Sequence, residues 1–303
     1  MTSPLERRWS PGYPVSFSLL LGLHRRGGGD PTHARGSDGA FWRTARTPEG
    51  AGTLRLMRTG DDVQATAWGP GAGWILHHLP DWLGASDDLR GFRPRHRVLA
   101  DGARRLGGPR VGRTGLVMEA LIPAILEQKV TGGESRRGWA WLVRRYGDPA
   151  PGPAAGLVVF PGPQTWRSIP SWDWHRAGVG PQRAATCVRA AAVAARLEQV
   201  VDMTSDDADT RLQAVPGIGA WTSAEVRARA LGDPDAVSVG DVHVPRMITY
   251  ALTGEVSDSD EQMLAALRPY EGHRFRVQRI LERVGVATPR FGPKYAPHDF
   301  RRM

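Results

Sequence analysis

The residues best suited to chemistry are a glycine-rich turn and one carboxylate that follows it. The turn reads Val-Pro-Gly-Ile-Gly-Ala-Trp-Thr over residues 215–222, and Asp241 stands twenty residues after Trp221. Gly217 and Gly219 permit a tight turn, and backbone N–H groups beside a helix N-terminus can bind an anion such as a nucleic-acid phosphate. A plain turn between two helices uses the same residue types, so the turn alone leaves both interpretations open.

Asp241 also has two interpretations. Asp commonly caps the N-terminus of a helix, and a helix is predicted directly after it. A helix N-terminus also favours the charged form of a carboxylate. That charge can stabilise the cationic sugar formed when an N-glycosidic bond breaks, and it can orient or deprotonate the attacking water. His243, two residues on, is expected to steady this loop rather than to act in chemistry.

Composition narrows the class of protein. The chain has 303 residues and a formal net charge of +9, and Lys129 and Lys294 are its only lysines. The length predicts more than one domain, and the charge suits a polyanionic partner. Cys187 is the only cysteine, which excludes a disulfide, a Cys-ligated zinc site and a four-Cys iron–sulfur cluster within the chain.

No apolar segment of the sequence is long enough to predict a membrane span or a secretory signal. We therefore expect an intracellular, cytoplasmic protein, and a DNA partner would associate it with the nucleoid.

The hydrophobic pattern divides the chain into a β-rich and a helical part. Residues 14–85 contain short alternating runs at 41–47, 53–58 and 63–68, separated by turn residues. From residue 116 onward the apolar residues recur at helical spacing. Helices are predicted at 74–79, 98–106, 116–126, 133–146, 181–197, 221–231, 245–252, 258–267 and 273–284.

The fold class is therefore predicted as α+β. A small N-terminal antiparallel β-sheet domain with its connector is expected at 1–110, and a mainly α-helical domain at 111–288. Residues 289–303 lack periodicity and contain prolines, which predicts an extended C-terminal tail.

Taken together, these motifs resemble the bacterial 3-methyladenine DNA glycosylase II (AlkA-type) branch of the helix-hairpin-helix (HhH-GPD) DNA glycosylase superfamily, over roughly residues 14–285. The resemblance implies a two-lobe helical body with the active-site cleft between the lobes, and no cofactor for catalysis. The segments that carry it are an opening strand at 14–23, the helix and loop at 124–131, residues 160–164, the hairpin at 212–231 and the catalytic loop at 239–246.

The resemblance also implies a role for each matching residue. Asp241 is the catalytic carboxylate. Three residues line the base pocket: Trp221, Glu225 and Leu23. Three give backbone N–H groups to a DNA phosphate: Gly217, Gly219 and Thr222. Either Gln128 or Lys129 is the wedge that fills the DNA stack. Three backbone carbonyls hold a structural Na⁺ or K⁺ ion: those of Gln213, Val215 and Ile218.

Trp221 bears on the reaction subtype. Members of the family that also cleave the DNA strand carry Lys at this position, where its amine forms a Schiff base with the sugar. The resemblance therefore implies a monofunctional glycosylase that uses water as nucleophile and has no lyase activity.

Several departures from the family's pattern affect the expected substrate. Lys129 stands where the family has an apolar residue, Glu225 replaces an aromatic residue, and Leu23 also stands at an aromatic position. Glu225 either is solvated on a polar helix face or faces the pocket, where it could accept a hydrogen bond from a base.

The leading hypothesis is an enzyme that flips a damaged base, expected to be an alkylated purine, from double-stranded DNA and hydrolyses its glycosidic bond as a monomer. One alternative is a glycosylase for deaminated or mispaired bases. The other is a non-catalytic DNA-binding lesion sensor that kept the hairpin.

Overall fold

A computed structural model describes residues 3–288 of the chain. Near its N-terminus lies a five-stranded antiparallel sheet in the order β1-β5-β4-β3-β2. The strands are β1 Leu5–Trp9, β2 His33–Arg35, β3 Phe41–Thr47, β4 Gly50–Thr59 and β5 Asp62–Trp68. The predicted strands at 41–47, 53–58 and 63–68 are confirmed as the three central ones. The turns at Pro48–Glu49 and Gly60–Asp61 fix their register, which pairs Thr47 with Gly50 and Thr59 with Asp62.

The predicted opening strand at 14–23 is wrong. This segment forms the short helix α1 (Phe17–Leu20) and a 3₁₀ turn at Gly22–His24, while the first strand lies earlier, at Leu5–Trp9. Ser16 caps α1 by accepting a hydrogen bond from the Leu19 N–H, and Phe17 and Leu20 pack onto the sheet core. A helical cap and i, i+3 burial outweigh the strand propensity of the segment.

Helices make up most of the remaining chain. They are α2 Ala72–Trp82, α3 Arg97–Arg105, α4 Val117–Glu127, α5 Gly132–Tyr146, α6 Pro163–Ser168, α7 Ser171–Arg176, α8 Pro181–Ala192, α9 Ala194–Glu198, α10 Ser205–Gln213, α11 Ala220–Val226, α12 Val244–Thr253, α13 Asp260–Leu267 and α14 Arg274–Val284. Two short strands, β6 Asp148–Pro149 and β7 Val158–Val159, pair with each other. The α+β class is confirmed.

Two corrections concern the helices. The single helix predicted at 181–197 is broken at Val193 into α8 and α9. The Pro/Gly-rich stretch 150–162 is not all loop, because it contains β7. Helices α6 and α7 do not follow from the sequence pattern, whereas α10 ends at the hairpin as predicted.

The helical residues bury two separate apolar cores. One surrounds α4, whose residues from Val117 to Leu126 are nearly all buried, and includes α5 and α8. The other joins α3 to α12, α13 and α14. Helix α11 contacts α4 of the first core, and its Ala224 packs with Phe275, at the start of α14, next to the second. The hairpin helix therefore lies where the two lobes meet. The C-terminal tail 289–303 lies outside the described residues.

Candidate active site and nucleic-acid interface

The hairpin consists of α10, a tight turn and α11. The Ile218 N–H donates to the Val215 carbonyl at 3.0 Å, and the first bond of α11 runs from the Ser223 N–H to the Gly219 carbonyl. The N–H groups before Ser223, including that of Thr222, therefore belong to the unsatisfied first turn of a helix. Free N–H groups of this kind can bind an anion, so the geometry allows the phosphate site that the sequence predicts, and the site itself stays a prediction.

The two glycines of the turn are needed for different reasons. Gly217 has φ +97°, and a Cβ there would stand 2.3 Å from the Thr186 Oγ1. Gly219 has φ −107°, an extended conformation open to any residue, and a Cβ there would meet nothing within 4 Å. The protein itself therefore demands glycine only at 217, whereas glycine at 219 leaves the outer face of the turn open.

Asp241 is held by the hairpin helix and by the start of α12. Its Oδ1 accepts from the backbone N–H of His243 at 2.7 Å and of Val244 at 3.0 Å, where α12 begins. Its Oδ2 accepts from the indole Nε1–H of Trp221 at 3.0 Å. One oxygen thus caps a helix, as the N-cap interpretation predicts, while the other lies against the hairpin. The catalytic role of Asp241 stays a prediction.

The loop that carries Asp241 is also bonded to α13, through Gly240. Gly240 has φ +85°, and its N–H donates to both carboxylate oxygens of Asp260 at 3.0–3.1 Å. His243 is exposed and contributes its backbone N–H to Asp241. The groups that hydrogen-bond to the Asp241 carboxylate are thus two backbone N–H groups and one indole N–H, all of them uncharged.

Glu225 is buried, so the alternative that it is solvated is wrong. Its carboxylate lies 2.6 Å from the Arg229 guanidinium, one helical turn on, and accepts from the Ser238 hydroxyl at 2.8 Å. The Gln278 amide in turn donates to the Ser238 hydroxyl and accepts from the Ser238 N–H. Sequence reasoning missed these partners of Glu225, although the i, i+4 spacing of Glu225 and Arg229 was a usable signal.

Leu23 packs against a small apolar cluster that includes Ala224 of the hairpin helix and Phe275. A recess is lined by Leu23, Phe275 and Arg279, among others, but not by Trp221 or Asp241. The structure therefore shows Trp221 bonded to Asp241 and places Leu23 with Phe275. Phe275 is an aromatic residue that the sequence did not single out.

His24 follows Leu23 and is half-buried. Burial, and then the positive charges of Arg43 and Arg229, hold the pKa of its imidazole well below the usual range. The ring is therefore neutral at physiological pH and can both donate and accept a hydrogen bond.

The loop between α4 and α5 approaches the hairpin. The Gln128 amide donates to the Gly217 carbonyl at 2.9 Å and to the Thr222 hydroxyl at 2.8 Å. Lys129, the next residue, is exposed. The structure thus ties Gln128 to the glycine-rich turn of the hairpin and leaves Lys129 at the tip of the loop.

Helix α11 continues into a π-helical turn at Arg227–Leu231. The Arg229 carbonyl accepts from the Thr114 N–H at 3.2 Å, and the Ala230 carbonyl accepts from the Gly115 N–H at 2.9 Å. These bonds connect the end of the hairpin helix to the segment that leads into α4.

The carbonyls expected to hold a monovalent cation, those of Gln213, Val215 and Ile218, lie around the glycine-rich turn between α10 and α11. That of Val215 accepts one hydrogen bond, from Ile218, and a carbonyl has a second lone pair for an ion. The donor set fits a hard cation, and the cation site stays a prediction.

The described residues also provide information on side-chain metal sites, cysteine reactivity and membrane-spanning helices. Residues 3–288 contain no group of three His, Cys, Asp or Glu side chains placed to hold a metal ion. Cys187 is buried, and burial raises the pKa of its thiol. No helix in this range is long and apolar enough to cross a membrane.

No family model matches the chain. Its sequence is 28% identical over 245 residues to a probable bifunctional transcriptional activator/DNA repair enzyme AlkA of Mycobacterium tuberculosis, a match that covers 76% of this chain and 47% of the relative. The chain thus spans about half the length of the curated relatives it matches.

Solved structures share the fold. A 3-methyladenine DNA glycosylase from Archaeoglobus fulgidus superposes with a TM-score of 0.77 at 20% identity, covering 91% of this chain and 97% of that one. A Clostridium acetobutylicum 8-oxoguanine glycosylase/lyase, in complex with double-stranded DNA, gives a TM-score of 0.65 at 13% identity, over 89% and 91% of the two chains. The chain is therefore similar in sequence to an AlkA protein and shares the fold of 3-methyladenine and 8-oxoguanine DNA glycosylases.

Proposed function

We propose that this chain is a monofunctional DNA glycosylase of base excision repair, which hydrolyses the N-glycosidic bond of a damaged purine with Asp241 as its catalytic carboxylate. The observation that carries the proposal is the position of Asp241. It is fixed by the N-terminus of α12 on one side and by Trp221 of the hairpin helix on the other. A nucleotide whose phosphate binds the hairpin is thereby kept near a fixed negative charge.

The proposed mechanism requires little movement of the protein. The flipped nucleotide enters between the lobes, and its sugar gains positive charge as the bond to the base breaks. The Asp241 carboxylate stabilises that charge and orients the water that attacks the sugar. Because hydrogen bonds already fix the carboxylate, it needs no reorganisation as the charge develops.

We propose water as the nucleophile because the hairpin, residues 212–231, contains no lysine. Trp221 occupies the position where lyase members of the family carry Lys, and its indole N–H is committed to Asp241. Lys129 is the one lysine among the described residues, and it lies at the tip of the loop between α4 and α5. We therefore expect no strand cleavage and no Schiff base.

An alkylated purine is the proposed base, in keeping with the names of the AlkA and 3-methyladenine glycosylase relatives. A second candidate, a deaminated or mispaired base, is favoured by the pair of Glu225 with Arg229. The Arg229 guanidinium balances the negative charge of the Glu225 carboxylate. Glu225 therefore offers no unpaired charge to a cationic alkylated base. The proposed partner is double-stranded DNA, bound by one copy of the chain, with Na⁺ or K⁺ as the structural ion at Gln213, Val215 and Ile218.

A base-release assay tests the proposal. Duplex oligonucleotides carrying a 3-methyladenine-type base, 7-methylguanine, hypoxanthine or uracil are incubated with the wild type and with Asp241→Asn. The proposal expects release that Asp241→Asn abolishes, and no covalent complex with DNA after borohydride reduction. Asn keeps one oxygen to cap α12, so the variant should fold and bind DNA like the wild type.

Two results would count against the proposal. Undiminished release by Asp241→Asn would remove the carboxylate from the mechanism. Salt-sensitive DNA binding with no release from any damaged base would favour the non-catalytic lesion sensor.

A further inference from the structure

The loop at 127–131 is anchored on its two sides before any DNA binds. The Arg26 guanidinium donates to both carboxylate oxygens of Glu127 at 3.0 Å. The Gln128 amide reaches across to Gly217 and Thr222 of the hairpin. One side of the loop is therefore tied to the segment after α1, and the other to the phosphate-binding turn.

Its two ends are also fixed. Arg183 donates to the Leu126 carbonyl at 2.7 Å, where α4 ends. Thr131 and Glu134 form a reciprocal capping box that starts α5. Between these anchors, Lys129 has φ +53°, and in residues 3–288 it is the one non-glycine residue with positive φ.

A left-handed backbone is unfavourable for a non-glycine residue, and it persists where the surroundings impose it. Here the anchors impose it, and the result is that the Lys129 side chain stands at the tip of the loop. Within the described residues its ammonium group has no hydrogen-bond or ion-pair partner, whereas Gln128 is already committed to the hairpin. Lys129 is therefore the wedge candidate that is free to enter DNA.

An ammonium group is an unusual wedge because it can only donate hydrogen bonds. When a base has been flipped out, the wedge faces the pairing edge of the base left opposite. Cytosine presents two adjacent acceptors there, N3 and O2. Thymine has two acceptors separated by an N–H, and guanine and adenine each offer one acceptor beside a donor that repels the ammonium.

Building on the proposed function, we propose that Lys129 selects the base opposite the lesion and prefers cytosine. Because cytosine pairs with guanine, the enzyme's substrate class is then a damaged base derived from guanine. Lys129 thereby reads the intact strand, while the cleft reads the damaged base.

Affinity for an abasic-site analogue tests the preference without requiring catalysis. Four duplexes carry a tetrahydrofuran residue opposite C, T, G or A, and their Kd values are measured for the wild type, Lys129→Met and Lys129→Arg. We expect the wild type to bind the duplex with C about tenfold more tightly than that with A, as one hydrogen bond to a charged donor allows. Lys129→Met should lose this ratio, and Lys129→Arg should retain it.

Arg137→Met is the matched control, since it removes one exposed positive charge from the helix that follows the loop. It should weaken binding to all four duplexes by the same factor. Equal wild-type affinities for the four duplexes, or an unchanged ratio in Lys129→Met, would overturn the proposal. If base release fails while the ratio is present, the proposed activity is wrong and the role of Lys129 stands.

Discussion

Gly217→Ala is expected to destabilise the protein far more than Gly219→Ala, although the two glycines are separated by one residue. At Gly217 the backbone is left-handed, and the added Cβ would stand 2.3 Å from Oγ1 and 2.9 Å from Cγ2 of Thr186. The backbone contributes a penalty of about 1–2 kcal/mol, and overpacking adds about 1–3 kcal/mol. The free energy of unfolding should therefore fall by roughly 2–5 kcal/mol, out of the 5–15 kcal/mol typical of a folded protein.

Gly219→Ala is the matched control. Its backbone is extended and its Cβ meets nothing, so its free energy of unfolding should stay within about 0.5 kcal/mol of the wild type. Its Cβ would occupy the open face of the turn, so this variant should instead lose DNA affinity. Urea unfolding followed by circular dichroism measures the first quantity, and fluorescence anisotropy with duplex DNA the second.

A double-mutant cycle separates the two penalties at Gly217. Thr186→Ala removes Oγ1 and Cγ2 and leaves only the Cβ contact at 3.2 Å. In this background Gly217→Ala should lose the overpacking part and keep the backbone part. Equal destabilisation by Gly217→Ala and Gly219→Ala, or additive effects of Gly217→Ala and Thr186→Ala, would refute the reasoning.

Three further predictions concern His24, Glu225 and Trp221. The folded pKa of His24 lies below that of an unfolded histidine, about 6.5. The unfolded state therefore binds the proton first as pH falls, and the free energy of unfolding should drop below pH 6.5 by up to about 1.4 kcal/mol per pH unit, less so in His24→Gln. Glu225→Gln leaves the buried charge of Arg229 unpaired and should cost about 3–5 kcal/mol of stability in urea unfolding, whereas removing both charges should cost less. Trp221→Phe keeps an aromatic ring but removes the N–H that positions Asp241, and should lower the single-turnover rate of base release about tenfold without changing affinity for abasic DNA.

Each of these predictions has a control or an opposing result. His175→Gln, at an exposed position, should leave the pH profile of stability unchanged. A double variant of Glu225 and Arg229 that is no more stable than Glu225→Gln would deny the importance of the unpaired charge. A Trp221→Phe enzyme with the wild-type rate would show that the indole N–H does not position Asp241.

The sequence predicted most of the helices and the three central strands because their signals are local. The strands at 41–47, 53–58 and 63–68 are bounded by turn residues, and the turns set their register. The segment 14–23 was misjudged because its apolar run suits a strand or a short helix equally well, and the cap at Ser16 is visible only in three dimensions.

The candidate site was predicted in part for the same reason. The turn at 215–222 and Asp241 are marked by their own residue types and spacing. In contrast, two members of the Glu225 network, Ser238 and Gln278, come from other segments of the chain. A local sequence pattern can indicate the Arg229 pair but not these two residues. The difference between Gln128, which is bonded to the hairpin, and Lys129, which is not, likewise depends on a contact between Gln128 and Gly217, 89 residues apart in the chain.

The π-helical turn at Arg227–Leu231 affects the direction in which the chain leaves the hairpin helix. An i→i+5 turn holds one residue more than an α-helical turn, and each extra residue rotates the chain beyond it by about 100°. Deleting one residue from this turn should therefore rotate the loop of Asp241 away from the Trp221 indole, although neither of these two residues is changed.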